Sequence, residues 1–163
     1  MTIRDIVATC TVALALGFTN AHAAPPLKDF TAKSLSDIKK TAAGEPFVLA
    51  LWSIHCEPCL REMAQWAPLQ QRYPGVRIVL VATDPPRERK KVTQMLARFD
   101  LGKVETWAFA DDFEERVRYS IDPRWRGELP RTYLYDSTQH AEARSGAELP
   151  WLEAWLATHA RPK

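Results

Sequence analysis

Residues 47–63 read FVLALWSIHCEPCLREM. The first part of this stretch, residues 47–54, is apolar on both faces without period-2 alternation, the pattern of a central strand in a parallel sheet buried from two sides. From Cys56 onward the apolar positions Leu60, Met63, Trp66 and Leu69 recur every three residues, so a helix begins at the paired cysteines and turns one face to the core. Pro68 is expected to kink that helix, because proline lacks the amide donor and clashes with the preceding turn. A buried strand thus delivers Cys56 to the first turn of a helix, where unpaired backbone amides and the helix dipole stabilise an anion. Free cysteine titrates near ~8.5, and CxxC thiols at helix starts fall to roughly 3.5–7.5, so Cys56 is expected to be the nucleophile. Cys59, one turn inward, is expected to be more buried and suited to resolving a mixed disulfide.

Other uses of a CxxC fit less well. Zinc needs four ligands, and beyond residue 23 the chain offers, besides this one pair, only scattered His55, His140 and His159. Covalent haem attachment wants CxxCH, whereas Leu60 follows Cys59. A structural staple stabilises by closing a long loop, and a CxxC ring restricts the unfolded chain very little.

Working outward, the chain has 163 residues, 46% of them hydrophobic and 26% charged, with six Trp, which suits one compact interior. A formal net charge of +2 is too small and too mixed to point to nucleic acid or an anionic membrane. The N-terminus carries an early cation in MTIR, a short apolar run over 6–18, and small residues at Ala21 and Ala23. These are the parts of an export signal, so 1–23 is expected to be a signal peptide cleaved after Ala23, and 24–163 the domain. Asp5 weakens the positive region, which keeps an uncleaved membrane anchor as the alternative. Cys10 lies inside the apolar run instead of at its end, which disfavours lipidation, and cleavage leaves Cys56 and Cys59 as the cysteines.

The remaining segments alternate in type. A brief extended piece is expected over 28–31, then a helix capped by Ser34 or Ser36 and stopped by Gly44 and Pro46. Residues 76–82 read as another buried strand. TDPPRERKK reads as a turn and the solvated start of a helix whose apolar side is Met95, Leu96 and Phe99. VETWAFA is a strand or an extended connection, DDFEERVRYSI a short helix and DPRWRGELP a loop. Residues 131–135 alternate and are β-rich, with 140–145 placed to pair with them across a turn. The tail from Glu148 is helical, with Leu149, Leu152 and Leu156 on one face and Trp151 and Trp155 beside it. This order predicts an α/β fold with a mixed central sheet and helices on both faces.

The stretch 47–63 resembles the active-site segment of thioredoxin-fold proteins, and more closely the exported TlpA-like thiol-disulfide oxidoreductases that include cytochrome c maturation reductases. Trp52 before the first cysteine, Glu62 after the second, and GELPRTYLYD over 127–136, similar to the family's cis-proline segment, carry the resemblance across about residues 27–160. It implies a thioredoxin-like fold and a cis bond at Leu129–Pro130, beside the disulfide, where a partner's extended backbone is received. Three positions depart from the pattern: His55 stands where Trp is usual, Ala50 where thioredoxins keep a buried acid, and Ala64 where a helix proline is usual. They put in doubt the route by which Cys59 loses its proton, for which Glu57 or Glu128 are the candidates beside a plain reading of each as an exposed, solvated carboxylate.

His55 is either a half-exposed loop imidazole or, protonated near ~6.5, a cation that favours the Cys56 thiolate while Glu57 opposes it. Trp125, between Arg124 and Arg126, is expected at the rim of the partner site with Leu129 and Pro130, while the other tryptophans read as core. The expected function is an extracytoplasmic, periplasmic thiol-disulfide oxidoreductase acting through the Cys56–Cys59 couple, with no other cofactor and no metal. The resemblance favours reduction of protein clients, such as apocytochrome c or a copper-site protein, fed by a membrane electron donor. The alternatives are a disulfide-forming oxidase of the same fold and a Cu(I)-binding metallochaperone using the thiolates with His55 and Met63.

Overall fold

A computed structural model describes residues 26–146 and 148–160. The expected signal peptide lies outside the described residues, as does the side chain of Leu149. In chain order the elements are β1 (Lys28–Phe30), α1 (Ser34–Ala42), β2 (Phe47–Trp52), α2 (Glu57–Arg72), β3 (Arg77–Ala82), α3 (Arg89–Leu96), β4 (Glu105–Phe109), α4 (Glu114–Ile121), β5 (Arg131–Tyr135), β6 (Ala141–Ser145) and α5 (Leu149–His159), with a 3₁₀ turn at Pro86–Glu88 ahead of α3. The strands form one sheet in the order β1-β4-β3-β2-β5-β6. Pairing is parallel from β1 through β4 and β3 to β2, and antiparallel from β2 through β5 to β6.

The run of apolar residues in β2 has its explanation in this arrangement. Every β2 residue is buried, and because side chains alternate across a strand, Val48, Ala50 and Trp52 enter one core while Phe47, Leu49 and Leu51 enter the other. The first core takes Met63, Trp66 and Leu69 of α2, Val92 and Leu96 of α3, and Leu152 and Leu156 of α5. The second takes Leu35 and Ile38 of α1, Val117 and Ile121 of α4, and the stacked Phe47–Tyr135 pair, whose ring centroids are 4.4 Å apart. Helices therefore cover both faces of a mixed sheet, as the alternation of segments implied.

Local differences have identifiable causes. VETWAFA is a true strand, β4, seated between β1 and β3. The helix expected to be capped by Ser34 or Ser36 has no side-chain cap; Ser34 lies inside it and its Oγ accepts from Thr31 N at 2.9 Å, closing the preceding turn instead. α2 runs through Pro68 to Arg72. α3 stops at Leu96, so its buried face is Val92 and Leu96, with Met95 and Phe99 only partly covered. Among the tryptophans, Trp52, Trp66 and Trp125 are buried, whereas Trp107, Trp151 and Trp155 are half-buried. No helix among the described residues is long and apolar enough to cross a membrane.

Candidate active site

β2 ends at Trp52, two residues earlier than its composition suggests, because a different set of bonds takes over. Thr83, just past β3, donates to Trp52 O from its amide at 2.9 Å and from Oγ1 at 3.3 Å. Asp84 accepts from Ser53 Oγ at 2.7 Å and from Ile54 N at 3.2 Å, and Ser53 Oγ accepts from His55 N at 3.1 Å. The His55 ring meets Glu88 through Nε2 and Oε2 at 2.9 Å. Residues 52–55 are thus tied in succession to the 83–88 segment, and the last residue held is the one before Cys56.

Cys56 is the N-cap of α2, with an extended backbone, and its Sγ accepts from Cys59 N at 3.2 Å. Pro58 falls in the first turn, where its missing amide hydrogen has no partner to lose. The two sulfurs are joined, Sγ–Sγ 2.02 Å and Cα–Cα 5.2 Å. Cys56 is half-buried and Cys59 is 2% exposed, so the asymmetry expected of an attacking and a resolving thiol is present. Once reduced, the Cys56 sulfur lies where amides of the first helical turn point at it.

The opposite wall is the loop before β5. The Leu129–Pro130 peptide is cis. Since Leu51 pairs with Arg131 across the antiparallel β2/β5 ladder, Pro130 falls beside Trp52, at the same end of β2 from which the chain leaves for Cys56. Gly146, after β6, donates its amide to Pro130 O at 3.0 Å and holds this wall from the far side. Leu129 is half-buried and packs against both cores.

Trp125 is placed differently from the expectation. It is 5% exposed in the second core, and its Nε1 donates to Glu128 O at 2.9 Å, so it shapes the loop from inside and does not rim an open surface. Asp122 supports the same loop, accepting from Arg124 N at 2.9 Å and Tyr133 Oη at 3.3 Å. Burial pushes its carboxyl up, but the Arg124 amide and charge outweigh this and hold it below the usual range.

The carboxylates near the cysteines also sort themselves. Glu57 is exposed and ion-paired with Arg61 at 2.8 Å. Glu128 is exposed, with Oε2 accepting from Arg126 N at 3.1 Å. Glu62, one helical turn beyond Cys59 and half-buried, brings Oε1 to 3.0 Å from where a Cβ on Gly146 would stand, a point 3.7 Å from the Pro130 ring. Sequence reasoning gave Glu62 only as part of a pattern and missed Asp84 and Glu88 altogether. The signal for the latter pair was their place just beyond the carboxyl end of a central parallel strand, next to the end of β2. Hydrogen bonds from Lys91 and His55 hold the Glu88 carboxyl at about 2. The basic run over 87–91 is therefore more than a solvated helix start: Lys91 engages Glu88, and Arg89 pairs with Asp29 at 2.9 Å. Met63 is 1% exposed, in the same core as Cys59.

No protein-family model matches the chain, and no curated protein matches it by sequence. Solved structures do. A putative thiol:disulfide interchange protein DsbE from Chlorobium tepidum superposes with a TM-score of 0.60 at 19% identity, covering 76% of this chain and 85% of that one. The DsbF structure from MTB, in mixed oxidised and reduced forms, gives 0.58 at 18%, covering 73% and 84%. A secreted Mycobacterium tuberculosis disulfide oxidoreductase, homologous to E. coli DsbE, gives 0.56 at 16%, covering 73% and 85%. With the sheet and helices described above, these likenesses establish the fold as thioredoxin-like.

Proposed function

We propose that this protein is a thiol-disulfide oxidoreductase that exchanges its Cys56–Cys59 couple with disulfides of protein clients. The observation that carries the reading is the half-buried Cys56 at the N-cap of α2, bonded to a buried Cys59, on the same side of the sheet end as a cis-proline. In the reducing direction the Cys56 thiolate attacks one sulfur of a client disulfide, forming a mixed disulfide and expelling the other client sulfur as a thiolate. The Cys59 thiolate then attacks Cys56 Sγ, closing the Cys56–Cys59 bond and releasing the second client sulfur. The client gains two electrons and takes up protons; the protein loses two electrons. Return to the dithiol requires a thiol donor, for which a membrane reductant of disulfides is the proposed source.

Each wall has a chemical task in this scheme. The amides of the first turn of α2 stabilise the developing thiolate, and the backbone beside Pro130 receives an extended client segment. Glu62, rather than the ion-paired Glu57 or the exposed Glu128, is the carboxylate suited to relay the Cys59 proton, since it lies one turn along the same helix and is partly withdrawn from water. An extracytoplasmic site of action fits the signal-like N-terminus, and apocytochrome c or a copper-site protein is the proposed client class.

The test is trapping. In Cys59→Ala the mixed disulfide has no resolving thiol, so clients accumulate covalently on Cys56 in an extract of the native compartment. Absence of any adduct, with the variant folded and Cys56 reduced, contradicts the proposal. The equilibrium of the parent with glutathione then sets the direction: a couple as positive as ~−120 mV marks an oxidase, and one near ~−270 mV a reductant.

A further inference from the structure

Beside the cysteines, His55, Asp84 and Glu88 bring one ring nitrogen and two carboxylate groups together, with ligand atoms all within 4.8 Å of one another. Asp84 is the unusual member. It is 4% exposed, yet its partners are a hydroxyl and an amide, and among the described residues no lysine or arginine forms an ion pair with it. Buried carboxylates are ordinarily either paired with a cation or bound to a metal.

The atoms have capacity to spare. Asp84 Oδ1 accepts from Ser53 and Ile54, but Oδ2 shares only the Ile54 amide, at 3.2 Å. Lys91 holds Glu88 Oε1 at 2.8 Å and leaves Oε2 facing His55 Nε2 at 2.9 Å. A metal ion inserted between these last two atoms takes the place of a single shared proton. The outer contacts, Ser53 and Ile54 on Asp84 and Lys91 on Glu88, are of the kind that orient ligating carboxylates.

We propose that His55, Asp84 and Glu88 form a site for one divalent transition cation of the borderline class, with Zn²⁺ as its type, at the edge of the Cys56–Cys59 couple. One imidazole and two carboxylates suit such an ion better than soft Cu(I), which prefers sulfur, and three protein ligands leave a position for water. The Lys91 ammonium opposes a second cation, and the two carboxylates outweigh it. The site uses no sulfur, so it stands whether or not the cysteines exchange with clients.

The experiment is calorimetric titration of Zn²⁺ into the protein with its disulfide intact, which removes both thiolates as competing ligands. The expected result is one Zn²⁺ per chain, with affinity at least about tenfold lower in His55→Ala and in Glu88→Gln. His140→Ala and His159→Ala are expected to bind as the parent does. Far-UV circular dichroism checks that the His55 and Glu88 variants stay folded. Failure of the oxidised parent to bind Zn²⁺, or undiminished binding in both His55→Ala and Glu88→Gln, overturns the site.

Discussion

Asp84 bears on the site through the two residues it holds. With Asp84→Ala, Ser53 Oγ and Ile54 N lose their acceptor in a part-buried position, and an unsatisfied group of this kind costs about 1–3 kcal/mol. Urea unfolding is expected to show a lower midpoint with an unchanged slope. The reduced variant is also expected to alkylate more slowly at Cys56, because the residues leading into the helix N-terminus are no longer fixed. At this scale the sequence was informative where chemistry depends on residues close in the chain. Cys56 and Cys59 were readable from their spacing and their place at a helix start, and the cis Leu129–Pro130 bond from the resemblance of 127–136 to a family segment. Asp84 and Glu88 were not, because their relation to Ser53, Ile54 and His55 exists only after β2 and β3 pair. Trp125 misled for a related reason: flanking arginines suggested surface, while its ring had a place in the second core.

The β6 edge of the sheet reaches the site. β6 leads into Gly146, whose φ of +80 is a left-handed conformation and whose missing Cβ leaves room for Glu62 and Pro130. Gly146→Ala is strained on both counts. The conformation alone costs about 1–2 kcal/mol, and differential scanning calorimetry is expected to record a lower unfolding temperature together with weaker client exchange. At the other edge, Glu105 of β4 takes two hydrogen bonds from Arg77 of β3 and one from Lys28 of β1. Burial pushes its carboxyl up, but these partners prevail and hold it at about 2, against an ordinary 4.5. A depressed carboxyl stabilises the fold above pH 4.5 and loses that contribution as pH falls towards 2. Glu105→Gln is therefore expected to be less stable than the parent at pH 7, with the two denaturation free energies converging between pH 4.5 and 2. The element pattern itself was largely legible, for β2 and β3 by their unbroken apolar runs and for α2 by its three-residue recurrence. β4 was ambiguous because ETWAF is short and mixed, and only its position between two partners makes it a strand.

The molecule as a whole is a sheet with a core on each face, and the cysteines sit at the end where β2 stops and β5 begins. Leu80, in the middle of β3 and 1% exposed, shows how much rests on that sheet: Leu80→Ala is expected to cost about 2–5 kcal/mol by guanidinium unfolding. Sheet order decides which residues meet, and it made neighbours of chain segments around positions 55, 84 and 130 that no single stretch of sequence connects. What that geometry is claimed to do is make one sulfur ionise readily while its partner stays covered. The direct measurement is the pH dependence of iodoacetamide alkylation of the reduced protein, resolved by residue with mass spectrometry. Cys56 is expected to react first, with a midpoint within roughly 3.5–7.5, while Cys59 is slow throughout. A Cys56 midpoint at or above the free-thiol value of ~8.5, or faster labelling of Cys59, contradicts it.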